Sequence, residues 1–198
     1  EYTPEERNSI ATHEAGHATV AHLVGTGRKL EVLTIVKRKD SLGLLAPSEM
    51  EERYTKRRSE ALALIQISLG GMVAEELFFG ESGTGPGGDL VAATKVAVEM
   101  VGSLGLGGSL VSFRAADAGA FSGDLVAQVL KDDRARRAVE DLLDEQKAIV
   151  ARLLSENRHI IEALRDALLE REELVDREIL EVIEQAQEEA GLVFDLRE

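Results

Sequence analysis

The 198-residue chain is 44% hydrophobic and 30% charged, the balance of a soluble globular domain, and with 4% aromatics its core must be filled by Leu, Val, Ile and Ala. A formal net charge of −14 argues against nucleic-acid binding, which needs a basic face, and marks Lys37-Arg38-Lys39 and Lys56-Arg57-Arg58 as solvated surface. The lack of cysteine excludes disulfides, thiolate metal sites and cysteine nucleophiles. No apolar run approaches the ~18 residues of a membrane span, and no signal peptide is recognisable, so a soluble segment without membrane contact is expected. The opening Glu1-Tyr2-Thr3-Pro4, without an initiator Met, suggests a piece of a longer protein.

Thr3-Pro4-Glu5-Glu6 has the marks of a helix start: a capping threonine, proline at the first helical position and a glutamate that completes a capping box. The helix is expected to run to Leu23 or Val24 and to end at Gly25. Residues 30–37, LEVLTIVK, read as a strand, and Leu42-Gly43-Leu44-Leu45 as a second, with Asp40-Ser41 as the turn. A second helix is expected over about 55–79, starting after Thr55 and stopping at Gly80; it contains the pair Gly70-Gly71 and then Ala74-Glu75-Glu76. A glycine-rich loop, Glu81 to Gly88, leads to Asp89 at the start of a third helix, where a carboxylate is also an ordinary cap.

Residues 102–123 are rich in Gly, Ala and Ser and read as irregular. Beyond Gly123, Val139, Leu142, Leu143, Gln146, Ile149, Val150, Leu153 and Leu154 keep helical spacing. After a break near Ser155–Asn157, Ile160, Ile161, Leu164, Ala167 and Leu168 continue it. Asp176 can cap a last helix carrying Ile179, Val182, Ile183 and Ala186, with a tail after Gly191. The expected fold is mainly α with minor β, a helical domain with a small two- to three-stranded sheet beside the first helix. One domain over 1–198 is expected, with the candidate site in 1–110 and a helical part in 122–190.

Inside the first helix lies His13-Glu14-Ala15-Gly16-His17. Histidines at i and i+4 share a helix face, so both imidazoles can bind one tetrahedral zinc ion. Glu14 points about 100° round from His13, too far for an easy third ligand but within reach of a water activated by the ion. That is the arrangement of a metallopeptidase, with the glutamate as general base and later as proton donor to the leaving amine. Gly16 costs roughly 1 kcal/mol against alanine inside a helix, which suggests a close approach of another segment over the site.

A catalytic zinc wants three protein ligands and an open position. His22, nine residues from His13, faces away, and His159 lies in the acidic helical part, where packing or surface is the simpler reading. Carboxylates are therefore the candidates, and Asp89 stands out because a flexible loop precedes it. Glu75 or Glu76 could hydrogen-bond a ligand histidine from behind, or could be helix-surface charge.

HEAGHA at 13–18, TIVKRKDSLGLLA at 34–46, LGGMVAEELFFGE at 69–81, TGPGGDLVAAT at 84–94 and ALLEREELVDREILEVI at 167–183 together resemble the peptidase domain of the FtsH-type AAA+ zinc metalloproteases. The resemblance implies one zinc ion per chain on His13, His17 and Asp89, with Glu14 as the catalytic glutamate. It implies an edge strand at Leu42, Gly43, Leu44 and Leu45 that pairs with an extended polypeptide substrate. It also implies a homo-hexamer, in which an AAA+ ATPase module of the parent protein feeds unfolded chain to a ring of peptidase domains on the cytoplasmic side. Whether a parent protein is membrane-anchored stays open.

Gly88 stands where the family usually has a small polar or charged residue, and APSEMEERYTKRRS and residues 102–123 match loosely. GTGPGGDL is not a phosphate loop, because no Gly-Lys-Ser/Thr follows, so any ATP dependence must come from another module. The rival reading is a peptidase-like module for oligomerisation or substrate binding; the intact Glu14 weighs against it.

Overall fold

The computed structural model describes residues 2–25, 28–36, 44–49, 57–117 and 123–195. Helix α1, Pro4–Val24, begins with the expected capping box: Glu6 N–H donates to Thr3 Oγ1 at 3.2 Å and Thr3 N–H to Glu6 Oε2 at 2.7 Å. It ends at Gly25, whose N–H returns to the Ala21 carbonyl.

Strand β1, Arg28–Thr34, pairs antiparallel with β2, Leu44–Glu49. Leu42, Gly43 and the Asp40-Ser41 turn lie outside the described residues. A third strand, β3, Glu173–Val175, pairs antiparallel with the other side of β1, so the sheet order is β2-β1-β3. The residue pattern announces no strand at this stretch, which lies between the expected helices. Three residues bounded by helices carry no periodicity of their own, and their strand form depends on β1 being beside them. Pro47 is tolerated in β2 because an edge strand need not donate every N–H.

Helix α2, Arg58–Phe79, starts with Arg57 at the N-cap and stops at Gly80 in a left-handed conformation, φ 79°. The Thr55 expected before it lies outside the described residues. Contrary to the sequence expectation, an 18-residue window of α2 has a mean hydropathy of 1.5 and is long and apolar enough to cross a membrane. It is instead the central core helix, packed on α1 and on α3, Gly87–Gly102, and α5, Asp133–Glu156.

The segment after α3 is pinned rather than loose where it is described. A 3₁₀ turn, Phe113–Asp117, ties back through Arg114 to Glu99 at 2.6 Å and to Ser103 at 3.2 Å, and Arg58 donates to the Leu106 carbonyl at 3.0 Å. Short α4, Leu125–Lys131, precedes α5. Helix α6, Arg158–Arg171, follows the expected break at Asn157, and α7, Arg177–Asp195, continues past Gly191, where a tail was expected. The Asp176 carboxylate pairs with Lys29 of β1 at 2.8 Å.

Mainly α with minor β is therefore the fold, with the sheet beside α1 as expected. The core has two parts. One joins α1, β1, β3, α6, α7, the end of α5 and the later part of α2; the other joins the earlier part of α2, α3, α4 and the beginning of α5. The candidate site sits where α1, α2 and α3 meet.

Candidate metal centre

Helices α1 and α2 approach closely because both carry glycine at the contact. A Cβ on Gly16 would strike the Gly70 carbonyl and the Ala74 methyl, and a Cβ on Gly70 would stand 2.8 Å from the Gly16 oxygen. The glycine in the motif thus admits the close approach of another segment that its place in the helix suggested, and that segment is α2. Gly71, one residue on from Gly70, leaves room for the ring: a Cβ there would lie 2.5 Å from His13 Nε2. The paired glycines do two jobs, admitting α1 with one and the His13 ring with the other.

The close approach fixes both imidazoles from behind. His13 Nδ1 lies 2.6 Å from Glu75 Oε1, and His17 Nδ1 lies 2.6 Å from the Ile67 carbonyl oxygen. In the neutral rings each Nδ1 donates and each Nε2 keeps its lone pair for an ion; the two Nε2 atoms face one another 3.0 Å apart. Asp89 arrives from the first turn of α3, not from its cap, because the helix already begins at Gly87. Its Oδ2 stands 3.1 Å from His13 Nε2 and 3.4 Å from His17 Nε2.

These three donor atoms lie within 4.8 Å of one another, and among the described residues theirs is the only group of three or more His and acidic side chains that could hold an ion. Ligands of a tetrahedral zinc at about 2.0–2.1 Å are separated from one another by about 3.3 Å. The observed separations are of that size, and two imidazoles with a carboxylate are a donor set suited to zinc. The residues present therefore fit the ion. His22 and His159 stand outside the group.

The electrostatics favour a cation. Burial by itself would lower the His13 pKa, but the hydrogen bonds to Asp89 and Glu75 outweigh it and raise the value to about 9. Asp89 is held well below the ordinary carboxylate range; burial opposes that, and the two histidines overcome it. Glu75 is also lowered, against its burial, by His13 and by the Gly83 N–H, which donates to its Oε2 at 2.5 Å. Glu14 behaves differently. It is 6% exposed, and burial raises its pKa, the direction that suits a proton acceptor working near neutral pH.

Glu75 therefore reaches His13 and the glycine-rich loop with its two oxygens. Glu76 does not join the site: it turns to Lys147 of α5 at 2.8 Å, the surface alternative the sequence had left open. Leu44 and Leu45 lie on β2, an edge of the sheet, opposite Thr34 and Leu33 of β1. Sequence reasoning missed the Ile67 carbonyl behind His17, because a backbone acceptor leaves no mark in side-chain spelling. It noted Gly70-Gly71 without assigning them a purpose, although a glycine pair inside an apolar helix is the signal that something packs there.

Comparison with known proteins points the same way. The profile of peptidase family M41 matches residues 1–183. An ATP-dependent zinc metalloprotease FtsH of Mycoplasma mobile is 34% identical over 187 residues, covering 89% of this chain and 26% of that protein. FtsH 2 of Symbiobacterium thermophilum is 38% identical over 179 residues, covering 90% and 29%, and FtsH of Cupriavidus metallidurans is 32% identical over 185 residues, covering 90% and 28%. The chain thus spans little more than a quarter of the length of these relatives.

Proposed function

The chain belongs to peptidase family M41, and on that premise we propose that it is a zinc-dependent endopeptidase domain that cuts unfolded or threaded polypeptide. The observation that carries the reading is the convergence of His13 Nε2, His17 Nε2 and Asp89 Oδ2 within 4.8 Å, with both Nδ1 atoms tied from behind.

In this reading His13, His17 and Asp89 hold one zinc ion, which when bound acts as a Lewis acid on the scissile carbonyl and acidifies water. Glu75 and the Ile67 carbonyl orient the imidazoles. Glu14, buried one residue from His13, takes the proton of the attacking water and returns it to the leaving amine. Burial raises its pKa, which strengthens it as an acceptor of that proton. Edge strand β2 pairs with the substrate backbone, which gives broad tolerance of side chains. The relatives' names, ATP-dependent zinc metalloprotease, support an ATPase module elsewhere in the parent protein. A homo-hexameric ring fed by that module, on the cytoplasmic side, is the corresponding assembly.

The test is zinc per chain in the protein and in Asp89→Ala, beside peptide cleavage by Glu14→Gln. The expected result is about one zinc, clear loss on removing Asp89, and retained zinc with cleavage reduced by at least ~10²-fold in Glu14→Gln. No zinc after reconstitution, or undiminished cleavage without Glu14, overturns the reading and favours a binding or oligomerisation module.

A further inference from the structure

Strand β3 pairs through Glu173, Leu174 and Val175 with Thr34, Leu33 and Val32 of β1. The same three β1 residues pair on their opposite side with Leu44, Leu45 and Ala46 of β2. The proposed substrate edge and the C-terminal helices are therefore connected through three shared residues.

The corner before β3 is held by Glu172. It adopts a left-handed conformation, φ 66°, and its N–H closes α6 by donating to the Leu168 carbonyl at 2.8 Å. Its own carbonyl accepts from Ile35 N–H at 2.9 Å and from the Thr34 hydroxyl at 3.3 Å. Its carboxylate pairs with Arg7 of α1 at 2.6 Å, and Arg7 also donates to the Leu169 carbonyl at 3.3 Å. One residue thus ties the helix that carries the histidines, the central strand and the C-terminal helices. On the far side of β3, Asp176 N–H donates to the Glu31 carbonyl at 2.8 Å.

We propose that this corner, acting through Thr34, is a positioning element for the polypeptide substrate: it holds β1, and β1 holds β2 in the ordered form that an incoming extended chain can pair with. The proposal rests on the reading of β2 as the substrate edge. A two-stranded hairpin is marginal in water, and a third strand over a hydrophobic face makes it persist. Here Leu33 and Leu174, neighbours across the β1–β3 pair, are both fully buried. A peptide that adds to an edge gains its main-chain hydrogen bonds in full only if the edge is already ordered; otherwise the ordering cost is subtracted from binding. Thr34 is buried, donates to Glu172 and accepts from Val36 N–H at 3.1 Å, so it fixes the end of β1 opposite Leu44. It is a positioning residue, acting through the sheet.

Thr34→Val tests this. The variant keeps the branched shape, and the Glu172 carbonyl keeps its bond from Ile35. A fluorescent, unstructured peptide of about ten residues, long enough to cover the edge, is titrated into zinc-loaded Glu14→Gln and Glu14→Gln/Thr34→Val by anisotropy. The expected result is a Kd raised about three- to tenfold with zinc content unchanged. In the active chain KM rises by the same factor while kcat holds, and amide exchange in β2 quickens. Arg7→Gln, which loosens the same corner from α1, moves the same readings in the same direction and replaces Thr34→Val if that variant does not fold. Unchanged Kd together with unchanged β2 exchange overturns the proposal alone. A parent that binds no peptide overturns the substrate role of β2 and the proposal with it.

Discussion

Glu75 shows how much one side chain can settle. Its two oxygens take His13 Nδ1 and Gly83 N–H, so the carboxylate aims a ring and tethers the loop that leads to Asp89. Glutamine in its place keeps one acceptor but turns an amide N–H₂ towards one of these two donors. Glu75→Gln should therefore weaken zinc binding by about 10–100-fold with little change in fold, read by competition against a chromophoric chelator. Affinity equal to the parent would mean that the loop and the ring do not need it. His22, outside the site, provides the pH test. Burial lowers its pKa below 6.5, and Glu184 opposes this only in part. A lowered pKa means that folding favours the neutral ring. Its stabilising contribution is thus present above about pH 6.5 and lost as pH falls through the folded value. The Tm of the parent should fall between about pH 7 and about pH 5 more steeply than that of His22→Gln. Parallel curves would contradict the shift.

At the scale of elements, α1 and α2 meet backbone to backbone. The neighbours of a Gly16 Cβ are a carbonyl and a methyl on a packed helix, neither of which can swing aside. Gly16→Ala should therefore destabilise the protein despite alanine's better helix propensity, by about 1–3 kcal/mol from overpacking. The measurement is chemical denaturation of the metal-free chain, so that zinc does not enter. A stabilised variant would show that the helices part easily. The same contact positions Gly71 behind the His13 ring, so the crossing also sets where that ring sits.

For the molecule as a whole, the three donors come from α1 and α3, and the groups behind them from α2. An ion held there links helices that lie on different parts of the core. It binds the folded state far better than the unfolded chain, where the donors are scattered. Chelation should therefore lower Tm, and restored zinc should raise it in proportion to the logarithm of free zinc, about 1.4 kcal/mol per tenfold excess over Kd. A Tm indifferent to chelator would mean that the site adds nothing to the fold.

The local spelling of the chain determined the parts that local physics controls. Thr3-Pro4-Glu5-Glu6 and Gly25 bounded α1, Gly80 ended α2, and the His13–His17 spacing set two rings on one helix face. These follow from hydrogen bonds and steric limits within a few residues, and the family resemblance supplied Asp89 beyond them. Tertiary structure alone decided the rest. Gly16 and Gly71 gained their purposes only when α2 lay against α1, and Glu75 separated from Glu76 only when their helix faces met His13 and Lys147. Glu173–Val175 became a strand only beside β1, some 140 residues earlier in the chain. Each of these depends on atoms far apart in sequence and close in space, and nothing in a short window encodes that distance.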